Sequence, residues 1–224
     1  MISDHHLILA SRSPRRQYLL RAIGLDFEVR LKETDESFPP HLEAERIPLY
    51  LAQKKADAFK GELKEKDLLI TADTIVWVDD HVLNKPADAD EAFRMLRGLA
   101  ATWHEVFTGC CLTSAQKSVS FYVRSRVFFR PLADQTIRDY ISVCQPFDKA
   151  GAYGAQESLP PDMKPCSPEE VEFLRKMGRS DLNSAHMTYE NKGERFVLVD
   201  RIEGSYFNVM GLPLRELYAA LAAF

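Results

Sequence analysis

The sequence predicts an α/β fold built on a mixed sheet. Short apolar runs alternate with amphipathic helical stretches early in the chain, which suits parallel strands connected by helices. Two pairs of strand-like runs in the middle are joined by short polar turns, the mark of antiparallel hairpins. A length of 224 residues with a hydrophobic fraction of 46% supports a sizeable core.

The elements follow in order. Residues 7–10 form a short apolar run and read as a buried strand. Ser13 then Pro14 starts a helix, with a hydroxyl at the N-cap and proline where no N–H is missed. Tyr18, Leu19, Ala22 and Ile23 give that helix an apolar stripe, and Gly24 ends it. Residues 25–32 alternate and read as a strand, followed by an acidic loop at 33–37. Pro48 opens a second helix with Leu51, Ala52, Ala56 and Phe59 on one side. Residues 68–78 are the longest strand-like run, and Asp79-Asp80-His81 turns it back into Val82-Leu83. Asp88 or Asp90 caps a helix through Leu99. Residues 103–113 and 119–129 form a second hairpin, and Asp134 starts a helix through Ile141. Residues 147–156 read as a loop of small residues. Ser167-Pro168-Glu169-Glu170 is a capping box leading into another helix, and 180–193 is a polar loop. Residues 202–213 read as a strand, then a helix opened by Pro213.

Composition bounds the function. The charged fraction of 28% is ordinary, and a net charge of −4 argues against a mainly electrostatic nucleic-acid binder. No apolar run approaches the roughly 20 residues of a membrane span. Met1 to His6 lack the basic start and long apolar region of a secretory signal. Cys110, Cys111, Cys144 and Cys166 show no paired zinc spacing and read as reduced thiols, the first two in the core. The expectation is a cytoplasmic protein without membrane or nucleic-acid partners.

Three places carry candidate chemistry. At the first strand–helix junction, Ser11, Ser13, Arg15 and Arg16 surround free N–H groups at the positive end of a helix dipole, which suits a polyanion. Two solvated arginines are the other reading. Asp73 lies inside an apolar strand, where a carboxylate is costly unless paired or metal-bound. An acidic loop such as 33–37 is usually solvated, but a carboxylate at a strand end also suits a hard cation. Lys54 and Lys55 read from the sequence alone as surface lysines.

Ser11-Arg12-Ser13-Pro14-Arg15-Arg16 followed by Leu19-Leu20 resembles the N-terminal signature of the Maf family of nucleoside triphosphate pyrophosphatases. Further segments fit in order: Asp35-Glu36, Leu51 to Ala56, Thr71-Ala72-Asp73-Thr74 with Lys85-Pro86, His104 to Gly109, Phe147 to Gln156, and Ile202 to Pro213. The resemblance covers most of 6–156 and 195–222. It implies an elongated fold with a cleft between two lobes, similar to the inosine triphosphate pyrophosphatases, and a single domain over 1–224. It also implies a homodimer and a divalent cation, Mg²⁺ or Mn²⁺.

By the same resemblance, Glu36 and Asp73 hold the metal, and Asp73 is the general base. Arg15, Arg16, Lys55 and Lys85 hold the triphosphate, and Ser11 contacts phosphate. Arg15, Thr74 and Gln156 match the positions that mark the subgroup acting on dTTP and UTP, with Gln156 at the nucleobase. The implied activity is hydrolysis to monophosphate and pyrophosphate, a housecleaning of nucleotide pools. The alternatives are a pyrophosphatase for 7-methyl-GTP or modified nucleotides, and a non-enzymatic nucleotide-binding regulator of cell division. The chain departs from the family's usual spacing after Gln156, where about thirty additional residues, roughly 159–193, are expected to form an added surface element.

Overall fold

The computed structural model describes residues 4–184 and 196–224. The single domain expected over 1–224 is assembled as two compact units, each from non-contiguous stretches. The first comprises Met1–Thr74, Phe107–Arg124 and Phe207–Phe224, and the second Ile75–Val106 and Ser125–Tyr206. Among the described residues, a seven-stranded sheet has the order β2-β1-β3-β5-β6-β7, with β4 paired to β3. It is mixed, as expected: β1 is parallel to β2 and β3, while β4 and β7 are antiparallel to their neighbours.

In the first unit, β1 (His6–Leu9) lies parallel to β3 (Asp67–Val78), with Ile8 opposite Leu69. Ser13 caps α1 (Pro14–Ala22), its hydroxyl accepting the Arg16 N–H at 3.4 Å, and Gly24 follows the helix at φ +78°. β2 is only Glu28–Val29, shorter than the alternation of 25–32 suggests. Its partner β1 is itself four residues long, so few backbone groups are available to pair. α2 spans Arg46–Asp57 and begins ahead of Pro48. The proline still falls in the first turn, where an N–H has no intrahelical acceptor. The later part of β5 (Trp103–Thr113), the early part of β6 (Ser118–Phe129) and α8 (Leu214–Ala223) complete this unit. Ile8, Ala52, Ala56, Phe59, Leu69 and Cys111 form one buried cluster beneath α2.

In the second unit, the end of β3 turns through Asp79 and Asp80, both at positive φ (46° and 60°), into β4 (His81–Leu83). Two successive left-handed residues make the turn whose twist matches a hairpin. Asp88 caps α3 (Ala89–Leu99), accepting the Glu91 N–H at 2.8 Å. α4 (Asp134–Cys144) leads into two 3₁₀ turns and the four-residue helix α5 (Ala155–Ser158). Gln156 therefore sits on a short helix, where a loop was expected. β7 (Val199–Glu203) starts earlier than expected. The single-turn helix α7 (Tyr206–Val209) separates it from α8, which begins just after Pro213.

The capping box at Ser167 forms in full at the start of α6 (Pro168–Lys176). Glu170 is almost fully buried and also accepts from Ser205 Oγ (2.5 Å) and Tyr206 N (3.0 Å). Leu159, Leu174 and Leu182 are buried as well. These buried residues anchor the described part of the segment after Gln156 within the second unit, while Glu169, Val171, Glu172, Arg175 and Lys176 on the rest of α6 are exposed. Of the polar loop expected at 180–193, Ser180–Leu182 is a 3₁₀ turn and residues 185–193 lie outside the described residues.

Candidate active site

Alternation along β3 places Thr71 and Asp73 on the same face. The Thr71 hydroxyl donates to the Ala52 carbonyl of α2 at 2.8 Å. One helical turn further on, Lys55 Nζ lies 2.5 Å from Asp73 Oδ1 and 3.3 Å from Glu36 Oε1. The Asp73 and Lys55 side chains are 13% and 16% exposed, against 59% for Glu36. Lys55 is thus the partner that a carboxylate inside an apolar strand requires, and two acidic groups converge on one ammonium. α2 comes this close because β5 carries Gly109 beneath it: a Cβ there would lie 2.4 Å from the Pro48 carbonyl carbon.

The loop bearing Glu36 is held in place by its neighbours. Asp35 accepts from the Ser37 backbone N–H at 2.9 Å and from Lys54 Nζ at 3.0 Å, and Lys54 also donates to Ser37 O at 2.9 Å. Hydrogen bonds from Ser37, with help from Lys54, hold the Asp35 carboxyl at a pKa of about 2. Lys54 thus pins the loop, a role its place beside an apolar stripe did not reveal.

Arg16 is held by the fold through four hydrogen bonds. Its Nε donates to Gly211 O (2.8 Å), Nη1 to Ala72 O (2.7 Å) and Ser11 Oγ (3.4 Å), and Nη2 to Thr74 Oγ1 (3.0 Å). Four of its five N–H groups are used inside the protein. Removal from water lowers its pKa, opposed by the Asp73 carboxylate. Gly211, at φ +105°, supplies one of these carbonyls in a conformation that favours glycine. Arg16 therefore ties α1 to β3 and to the turn before α8.

Two hydroxyls accept from it. Ser11 Oγ accepts from Ser13 N (3.2 Å) and Arg16, so what it offers a ligand is its own O–H, a donor suited to phosphate. The Thr108 hydroxyl lies 3.1 Å from Asn208 O and 2.8 Å from the Thr74 hydroxyl, which itself lies 3.4 Å from Gly211 O. Thr74 Oγ1 accepts from Arg16 Nη2. Arg15 is half-buried on the first turn of α1.

Lys85 and Gln156 belong to the second unit. Lys85 is exposed two residues past β4, and the neighbouring Asn84 carbonyl accepts the Gly151 N–H at 3.2 Å. Gln156 is 3% exposed, and its Oε1 has no hydrogen-bond partner among the described residues. The segment before it is fastened at His104, whose Nε2 lies 2.8 Å from the Tyr153 hydroxyl. Burial drops the His104 pKa to about 3, so the ring is neutral at ordinary pH. Glu36, Lys55 and Asp73 come together in the first unit, as do Ser11, Arg16 and Thr74. Among the described residues, no group of three or more His, Cys, Asp or Glu side chains could hold a metal, and no helix is long and apolar enough to cross a membrane.

Comparison with known proteins places this chain among relatives. A family model described as "Maf-like protein" matches residues 6–160 and 162–224. The dTTP/UTP pyrophosphatase of Parabacteroides distasonis is 38% identical over 224 residues, covering 100% of this chain and 98% of that protein. The dTTP/UTP pyrophosphatase of Bacteroides thetaiotaomicron is 39% identical over 221 residues, 98% of this chain and 96% of that protein. Among solved structures, the nucleoside-triphosphatase, a dITP/XTP pyrophosphatase, of Mycobacterium abscessus overlaps in part: 17% identity, 55% of this chain, 74% of that chain, TM-score 0.38. On a family match from residue 6 to the last residue and on relatives matched end to end, the chain belongs to the Maf family.

Proposed function

We propose that this protein hydrolyses dTTP and UTP to the nucleoside monophosphate and pyrophosphate, keeping nucleotide pools clean. The observation that carries the chemistry is the meeting of Asp73, Glu36 and Lys55 at one point; the Ser11 hydroxyl, which accepts from Ser13 N and Arg16, has its own proton to donate to phosphate. The pyrimidine preference rests on the relatives' activity and on the buried Gln156 amide, whose Oε1 has no partner among the described residues and would accept a donor such as a base imide N–H.

Asp73 accepts a proton from a water molecule as the water oxygen bonds to the α-phosphorus. The bond from that phosphorus to the α,β-bridging oxygen breaks, and its electron pair leaves with pyrophosphate. Lys55 orients Asp73 and balances its charge; Arg15 and Lys85 are the cations that the family resemblance assigns to the phosphates. Arg16 contributes through its hold on Ser11 and Thr74.

A divalent cation, Mg²⁺ or Mn²⁺, fits this donor set. Glu36 and Asp73 already share one cationic partner, and Mg²⁺ usually takes one or two carboxylates with waters and substrate phosphates. When bound, it would offset negative charge building on the phosphoryl oxygens. The same reading puts the protein in the cytoplasm as a homodimer.

The test is a screen of nucleotides with Mg²⁺ or Mn²⁺, reading pyrophosphate and monophosphate separately. dTTP and UTP are expected well above ATP, GTP and 7-methyl-GTP. Equal turnover of purine triphosphates, or release of orthophosphate, overturns the assignment.

A further inference from the structure

Gln156 is bracketed by a hydrogen-bonded chain that no sequence motif announced. Tyr140, on α4, is completely buried. Its hydroxyl oxygen accepts the Gly154 N–H at 3.0 Å, and its O–H donates to Glu157 Oε1 at 2.9 Å. The directions are fixed: an amide N–H only donates and a carboxylate only accepts, so the phenol must do both. One rigid side chain therefore ties the residue two before Gln156 and the residue just after it.

Two further observations make the bracket tight. A Cβ on Gly154 would lie 2.8 Å from Glu157 Oε1 and 3.1 Å from Lys149 Cε, so the turn closes directly onto the carboxylate. Lys149, itself 4% exposed, stands 3.7 Å from the same Glu157 oxygen and 2.9 Å from Asp148. Between the two ties sits the amide of Gln156, buried, with its acceptor oxygen unpartnered among the described residues. A buried acceptor left open is costly, and it discriminates between ligands only if its direction is held.

We propose that Tyr140, acting through Gly154 and Glu157, is a positioning residue that aims the Gln156 amide and thereby sets the preference for a base presenting an imide N–H, uracil or thymine. The proposal deepens the proposed function and rests on Gln156 facing the base. Tyr140 touches no substrate in this account; it determines how narrowly the amide is oriented. A loosened amide can rotate to suit cytosine, whose ring nitrogen accepts where uracil donates.

The test compares kcat and KM for UTP, dTTP, CTP and ATP in the wild type and in Tyr140→Phe, Glu157→Gln and Glu157→Ala, with melting temperatures. In Tyr140→Phe, KM for UTP and dTTP should rise about tenfold with kcat nearly unchanged, because lost uniform binding appears in KM. The UTP-to-CTP ratio of kcat/KM should fall by a similar factor. Glu157→Gln, whose amide oxygen still accepts from Tyr140, should retain the ratio, and Glu157→Ala should lose it. A purely structural role would lower turnover of all nucleotides together and leave the ratio unchanged. Wild-type ratios in folded Tyr140→Phe, or equal ratios in Glu157→Gln and Glu157→Ala, overturn the proposal; the Glu157 pair decides if Tyr140→Phe does not fold. A wild type that turns over neither UTP nor dTTP removes the functional reading and this proposal with it, an outcome distinct from an active, selective enzyme indifferent to Tyr140.

Discussion

Asp73→Asn separates the catalytic reading of the carboxylate from a structural one. The substitution preserves shape and removes charge and basicity. In the native protein Asp73 Oδ1 stands 2.5 Å from Lys55 Nζ, and Glu36 stands 3.3 Å from the same nitrogen. An amide oxygen at residue 73 still accepts from the ammonium, and Glu36 remains to balance it. The folded state therefore exchanges a charge-assisted hydrogen bond for a neutral one, a loss of about 1–2 kcal/mol. For a chain of this size that is roughly 2–8 °C in melting temperature. The effect on turnover is larger: loss of a general base lowers rates by about 10²–10⁴-fold, or about 3–5 kcal/mol in the barrier. Binding should weaken less than turnover, because the cations assigned to the phosphates are untouched. Melting temperature, nucleotide affinity and kcat per folded molecule should be measured on one preparation. A kcat near the wild-type value, with or without a lower melting temperature, refutes Asp73 as the base.

Arg16→Lys should cost about 2–4 kcal/mol in urea denaturation, because one ammonium cannot reach Ala72 O, Gly211 O and Thr74 together; an unchanged midpoint with a raised KM would make Arg16 a phosphate ligand instead. Gly109→Ala should destabilise by about 1–3 kcal/mol and lower kcat, since its Cβ meets the backbone of Pro48 and Leu49 at 2.4–2.5 Å on the helix carrying Lys55; wild-type melting and activity would contradict the close approach. His104 has a folded-state pKa of about 3, lowered by burial from an ordinary 6.5. Its contribution is fully present above about pH 6.5 and declines as pH falls toward 3, because the unfolded chain takes up the proton first. That amounts to at most about 2 kcal/mol by pH 5, and His104→Gln should flatten this acid limb in melts between pH 8 and 4. An identical limb in the variant would place the titration elsewhere.

Much of this protein is local, and what is local was legible in its sequence. Caps and turns are decided within a few residues, so Ser13-Pro14, Asp88, the Ser167–Glu170 box and the Asp79-Asp80 turn formed as expected. Burial of a lone carboxylate in an apolar strand is costly, and that alone marked Asp73. What the sequence could not determine is which partner satisfies each polar group, because such partners lie far apart along the chain. Lys55 meets Asp73 across 18 positions, Thr108 reaches Asn208 O across 100, and Arg16 reaches Gly211 O across 195. That Arg16, on a first helical turn, meets two carbonyls and two hydroxyls is decided only when the fold brings them to it. A tyrosine on the apolar stripe of α4 looks like core until Gly154 and Glu157 close over its hydroxyl. Local propensity settles the backbone, but the direction and availability of each hydrogen bond are set only when distant segments pack and exclude water.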